Sequence, residues 1–283
     1  MRVTGTLITL VGVALVGMHA QAGPVKEETR SVSMEGAERL VMEGDFGAGS
    51  FRIRPRHIDN AAEIRLEYSP DEVRYDIDFD RRRDEGHLSL SCEQRDGHYG
   101  DDSENMWRID LSDKYPTDLD LEVGAGDIDF DFGGIPITSM ALKTGASSGD
   151  IDFSAPNPGR MKAMEVKIGA ASLALHHLGN AHFDELRFTC GAASTDLDLT
   201  GQVSGESEVY IKVGMGALDV YLPKGIPVRV ETDNGLFSSV DIDDLHLERI
   251  HKDVYESPDF SEAKDRMILH VKVGMGTVDF SRR

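Results

Sequence analysis

Val123-Gly-Ala-Gly-Asp-Ile-Asp-Phe130 is the stretch on which the fold turns. It joins a glycine-rich corner to a strand in which acidic and apolar residues alternate. The phrase returns as Thr144-Gly-Ala-Ser-Ser-Gly-Asp-Ile-Asp-Phe153, Ile168-Gly-Ala-Ala-Ser-Leu-Ala-Leu175 and Cys190-Gly-Ala-Ala-Ser-Thr-Asp-Leu-Asp-Leu199. Val213-Gly-Met-Gly-Ala-Leu-Asp-Val220 and Val273-Gly-Met-Gly-Thr-Val-Asp-Phe280 follow, and Phe46-Gly-Ala-Gly-Ser-Phe-Arg-Ile53 is an early relative. The glycines Gly124, Gly145, Gly169, Gly191 and Gly214 are 21, 24, 22 and 23 residues apart. Self-similarity at a fixed period of this size marks a solenoid.

Outside the corners, apolar residues alternate with period two and helical periodicity is nearly absent. Leu119, Leu121 and Val123 illustrate it, as do Met164, Val166 and Ile168, and Leu269, Val271 and Val273. Gly, Pro, Asn and Asp clusters such as Pro156-Asn-Pro-Gly159 separate the runs. These patterns predict an all-β parallel β-helix with rungs of 21–24 residues stacked as parallel strands. The corner glycines are expected to supply positive φ at a sharp bend.

The regular spacing fails at both ends. Gly47 to Gly124 spans 77 residues and Gly214 to Gly274 spans 60. The first gap, with its charged run Arg81-Arg-Arg-Asp-Glu85, reads as antiparallel strands or irregular rungs capping the solenoid. The second contains a degenerate corner-strand, Asp233 to Ile242, and an insertion over 246–266 with a short turn or helix. Residues 23–115 are thus read as an N-terminal β region and 116–283 as the solenoid.

Residues 1–22 read as a cleaved signal peptide. Arg2 provides the positive start, Leu7 to Val16 a short apolar run, and Ala20-Gln-Ala22 a small-x-small cleavage site. The expected location is the periplasm or the exterior, without membrane insertion after cleavage. The 283-residue chain carries a formal charge of −21. That charge disfavours nucleic acid and anionic membrane surfaces. An envelope protein or a neutral glycan is the expected partner.

Cys92 and Cys190 both continue the inward phase of their strands. Export permits a disulfide between them, and two buried free thiols serve the core equally well. The pairs Asp127/Asp129, Asp150/Asp152 and Asp196/Asp198 each flank one apolar residue, so both carboxylates of a pair should leave the outer face. Stacking would align them in columns that recruit Ca2+ or Mg2+ weakly, or simply solvate the face. Ser172 and Ala174 interrupt the columns in the third copy. Of His176, His177 and His182, His177 shares the inward phase of Leu173 and Leu175. The acidic pairs repeat equally from copy to copy, unlike the single irregular cluster of an active site. No catalytic residue and no cofactor is therefore assigned.

The run Val213-Gly-Met-Gly-Ala-Leu-Asp-Val-Tyr-Leu-Pro-Lys-Gly-Ile-Pro-Val-Arg-Val230 resembles the bacterial toast-rack or adhesin-like β-helix proteins. With Tyr255-Glu-Ser-Pro-Asp-Phe260 and Met267 to Phe280, it also resembles the LiaF-like domain of cell-wall-active antibiotic response proteins. The resemblance implies a toast-rack β-solenoid with no assigned catalytic residues. LiaF-like proteins resemble envelope-stress regulators, usually with membrane helices ahead of the β-domain, and none is legible in these residues. The expectation is an exported, non-enzymatic binding or scaffold module of the cell envelope. The alternatives are an envelope-stress regulator working through a protein partner and a carbohydrate-active enzyme on a β-helix.

Overall fold

The computed structural model describes residues 25–95 and 105–283. The signal-peptide reading falls on residues outside these. Sixteen strands join one continuous sheet. The rungs are β2 (Arg39–Arg56), β7 (Thr117–Asp131), β8 (Ile137–Asp152), the pair β9 (Met161–Ile168) and β10 (Ser172–His176), β11 (Phe183–Asp198), β12 (Glu206–Leu222), β13 (Val228–Asp241) and β16 (Arg266–Arg282). Each rung bends at its glycine corner into a first arm and a second arm. Successive rungs pair in parallel.

Alternation along each arm builds the core. On β7, Leu119, Leu121 and Val123 point inward before the corner, and Ile128 and Phe130 after it. Register repeats these positions from rung to rung: Leu121 lies beside Leu142, then Val166, Phe188, Ile211 and Val271. The interior is therefore a set of apolar columns along the stacking axis. Asn157 anchors the turn at Pro156–Gly159 by donating to the carbonyls of Ile137 and Ala181, at 2.8 and 3.1 Å.

The corner glycines follow a rule different from the one expected. Gly124, Gly145, Gly169, Gly191, Gly214 and Gly274 do not have positive φ. A Cβ on Gly124 would stand 2.5 Å from the carbonyl oxygen of Gly47, and one on Gly145 2.3 Å from that of Gly124. The contact recurs up the stack, at 2.8 Å for Gly169, Gly191 and Gly274 and 2.6 Å for Gly214. Glycine stands there because backbones of neighbouring rungs touch. Positive φ belongs to the second glycine of some corners, Gly126 at 126°, Gly216 at 127° and Gly276 at 140°.

Both breaks in spacing are excursions that cap the stack. β2 pairs with β7 along nearly its whole length, with Ala48 beside Ala125, so the first rung precedes residue 116. Between them the chain builds β3 (Ala62–Tyr68), β4 (Val73–Arg82), β5 (Glu85–Gln94) and β6 (Asn105–Ser112). β5 covers the first arm of β2 and β4 pairs antiparallel to β5. β6 covers the second arm, followed by β3 and by β1 (Lys26–Val32), both antiparallel to their neighbours. Arg81-Arg-Arg-Asp-Glu85 makes the β4–β5 hairpin, with Arg83 at φ 64°.

The C-terminal excursion works the same way. After β12 the chain makes β13, then returns so that β16 inserts between β12 and β13. Met215 pairs with Met275 despite the 60 residues between them. The insertion forms an antiparallel hairpin, β14 (Glu248–His251) and β15 (Val254–Glu256), that covers the first arm of β13, and turns through 258–262. Charged residues on β1, β4 and β14 suit edge strands, where they oppose pairing with another chain.

The permitted disulfide is not formed. Cys92 and Cys190 are free and buried. They share one inward column, Cys92, Phe46, Val123, Thr144, Ile168, Cys190, and so lie five strand spacings apart. At about 4.8 Å per spacing that is ~24 Å, far beyond the reach of a disulfide. Burial pushes both thiols above their ordinary pKa.

Candidate functional site

The solenoid presents three surfaces: the outer face of the first arms, the outer face of the second arms, and the corner between them. On the second arms, register sets Asp129 beside Asp150, followed by Ala174, Asp196, Asp219, Asp279 and Asp241. Aligning the phrases by sequence would set Asp127 beside Asp150. The β8 corner contains two extra residues, so Asp127 meets Ser148 instead and donates no carboxylate to the column.

The aspartates fall into two sets. Asp129 is held by Arg52 and Arg54 of the preceding rung, at 3.0 and 2.5 Å. The hydrogen bond from Arg54 is the largest influence on it, and it holds the carboxyl below its usual range. Asp150 and Asp152 are paired with His176 and His177, at 3.1 and 2.8 Å. Asp198 does not leave the outer face: it is buried and accepts the Thr200 backbone N–H at 2.8 Å. Asp131, not singled out by the pair pattern, plays the same role for Gly133 and Ser154.

The other set is the run Asp196, Asp219, Asp279, Asp241, in which carboxylates on neighbouring strands follow one another without a break. Two such charges about 5 Å apart repel by roughly 1 kcal/mol in water. Partial burial, then Asp196 and Asp279, raise the pKa of Asp219 above the ordinary carboxylate value. Among the described residues no group of three or more His, Cys, Asp or Glu side chains is arranged to hold a metal ion.

The histidines do not gather either. His177 is exposed, with φ 52°, and faces away from the core that its phase suggested. The chain leaves the strand at that residue to enter a short 3-10 turn, and the alternation ends there. His182 Nδ1 lies 2.9 Å from the Asn157 carbonyl.

The first arms carry a feature that sequence reasoning missed. Two residues before the corner glycine stand Lys143, Lys167, Thr189, Lys212 and Lys272, stacked in that order. Glu122 and Asp233 close the column at its two ends, pairing with Lys143 at 3.6 Å and Lys272 at 2.7 Å. The signal was the Lys-x-Gly that precedes four of the corners, at Gly145, Gly169, Gly214 and Gly274. Beside this ladder Tyr210 stacks on His270 with centroids 4.6 Å apart, and Arg187 lies over the same tyrosine. His270 sits between Glu231 and Glu208, at 3.2 and 3.5 Å.

The corner itself is a shallow open trough across β8 to β12, lined by Ala146, Ala170, Ala192 and Met215 among others. Met215 and Met275 are about half exposed there.

This architecture defines a parallel β-solenoid with capped ends and regular side-chain ladders on its outer faces. The sequence model for the N-terminal domain of toast-rack matches residues 21–176, and the chain belongs to the toast-rack family. The model for the C-terminal domain of LiaF, of the cell-wall-active antibiotics response, matches residues 176–280. Among solved structures, a candidate cell-adhesion protein from Clostridium sporogenes is similar at 19% identity and TM-score 0.54, over 92% of this chain and 100% of that one. A candidate adhesin from Bacteroides fragilis aligns at 9% identity and TM-score 0.30, over 90% of this chain and 96% of that one. No curated protein matches. Residue 176, where the two family matches meet, lies within the unbroken sheet.

Proposed function

We propose that this chain is an exported, non-enzymatic binding or scaffold module of the bacterial cell envelope, located in the periplasm or outside the cell. The observation that carries the reading is the pair of side-chain ladders, lysines broken only by Thr189 and aspartates broken only by Ala174. The lysine column and the aspartate column each repeat one chemistry at strand spacing over several rungs. Such surfaces suit an extended partner that makes the same contact repeatedly, an envelope protein or a glycan. The cell-wall response description of the C-terminal family and the adhesion description of the similar structure support the same setting.

The test is site-specific photo-crosslinking in the native host. A crosslinking residue replacing Tyr210, beside the lysine ladder, should yield adducts with an envelope component; one replacing Asp76, on the capping strand β4, should not. Adducts confined to cytoplasmic proteins, or glycan turnover by the purified chain, would overturn the reading. A second reading, a regulator of envelope stress, draws on the LiaF match. It predicts recovery of a membrane sensor kinase as the Tyr210 adduct.

A further inference from the structure

We infer that the corner face is a self-association surface, on which two copies of this chain pair about a two-fold axis parallel to the stacking axis. Met215 and Met275, adjacent in register, are 50% and 49% exposed and are two of the three large apolar side chains exposed among the described residues. They sit on the ridge of the corner. One flank of that ridge carries the lysine ladder and the other the aspartate ladder. Within single rungs the two charges recur seven residues apart: Lys143 and Asp150, Lys212 and Asp219, Lys272 and Asp279.

The charge order selects the occupant and its orientation. A two-fold axis along the ridge reverses both the outward direction and the left–right sense. Each rung then faces the same rung of the other copy, with its lysine flank against the other's aspartate flank. A two-fold axis across the ridge would set lysines on lysines. The β2 rung has both signs inverted, Asp45 and Arg52, and stays complementary under the same operation. Four rungs do not fit: Glu122 with Asp129, where Asp129 already has arginine partners; Lys167 with Ala174; Thr189 with Asp196; and Asp233 with Asp241 at the end of the stack. The contact is therefore centred on β12 and β16.

Within one copy, no ion pair within 4 Å engages Lys212, Asp196, Asp219 or Asp279 among the described residues, and Asp219 feels the Arg283 charge only from farther away. Pairing would place Met215 on its symmetry mate, Met275 on its own, and a lysine–aspartate contact on each side of both. A strip of three rungs at about 4.8 Å each, some 15 Å wide, covers on the order of 200 Å2 per copy. That is less than the ~800 Å2 of a standard interface, so the dimer is weak and reversible.

Sedimentation equilibrium on the purified chain tests this. The mass should climb toward twice that of the single chain with rising concentration, and less steeply in high salt. A double variant Lys212→Glu/Lys272→Glu, with two acidic flanks, should be monomeric. So should Asp219→Lys/Asp279→Lys, with two basic flanks. Mixed, the two should form a heterodimer, whereas Asp76→Lys/Asp78→Lys should not associate with the first. Circular dichroism and melting identical to the parent establish that each variant is folded, and Met215→Glu is a further single variant expected to be monomeric. A parent chain that stays monomeric to about 500 µM overturns the inference. So do folded double variants that dimerise like the parent, or a mixture that stays monomeric.

Discussion

Gly145 can carry no side chain, because a Cβ would stand 2.3 Å from the Gly124 carbonyl oxygen one rung away. Gly145→Ala should therefore cost about 2–4 kcal/mol in urea unfolding. Gly159→Ala, whose nearest foreign atom lies 3.7 Å away and whose φ is not positive, should be close to neutral. Equal losses would show that the corners are not in backbone contact. Asp219 gives a pH prediction. Its pKa is raised in the fold by burial and by Asp196 and Asp279. The native state thus binds a proton more readily than the unfolded state, and protonation stabilises the fold. That contribution is full below the ordinary carboxylate pKa of 3.8 and is lost as pH rises through the raised value. Asp219→Asn should raise the melting temperature at pH 7 by about 1–3 °C, and the gain should vanish near pH 3. A loss at pH 7 would contradict the repulsive ladder. The glycine positions were legible in the sequence, but their cause was not. Contact between rungs depends on stacking register, which a single phrase does not contain.

Each rung is closed by turns whose polar groups are satisfied from within. Asn157 is buried and donates to two carbonyls on different rungs, Ile137 and Ala181. Asn157→Ala leaves both carbonyls without that donor, and should cost about 2–3 kcal/mol measured by chemical denaturation. Asp196→Ala, one member of the repulsive ladder, should cost less than 1 kcal/mol or stabilise slightly. If Asn157→Ala were neutral, the turn would not be held as described. The strands were legible from alternation alone, since period two needs only local sequence. The outward direction of Asp198 was misread because the same Asp-x-Asp phrase ends a strand there. The second aspartate has left the ladder to accept the N–H of Thr200. The lysine ladder went unread for the opposite reason. Its members are single residues 24, 45 and 60 positions apart, and only stacking turns them into a surface.

The whole molecule is a stack whose two irregular ends do the capping. Repeats gave the period, and the long gaps marked where regularity stopped. The path of the chain through those gaps was hidden, because local patterns say which residues form strands and not which strands become neighbours. The structure places β16 between β12 and β13, so that the last copy of the phrase follows the Val213–Val220 copy in space although 60 residues separate their glycines. Stacked order also creates every ladder on which the proposed binding and self-association depend. Cysteine cross-linking reads that order directly. Met215→Cys/Met275→Cys places two exposed thiols on adjacent parallel strands, about 4.8 Å apart at the backbone and within disulfide range. Mild oxidation should close an intramolecular bridge within one chain, while Ala192→Cys/Met275→Cys, two spacings apart, should stay open. A bridge in the second pair and none in the first would contradict the stacking order and the surfaces built on it.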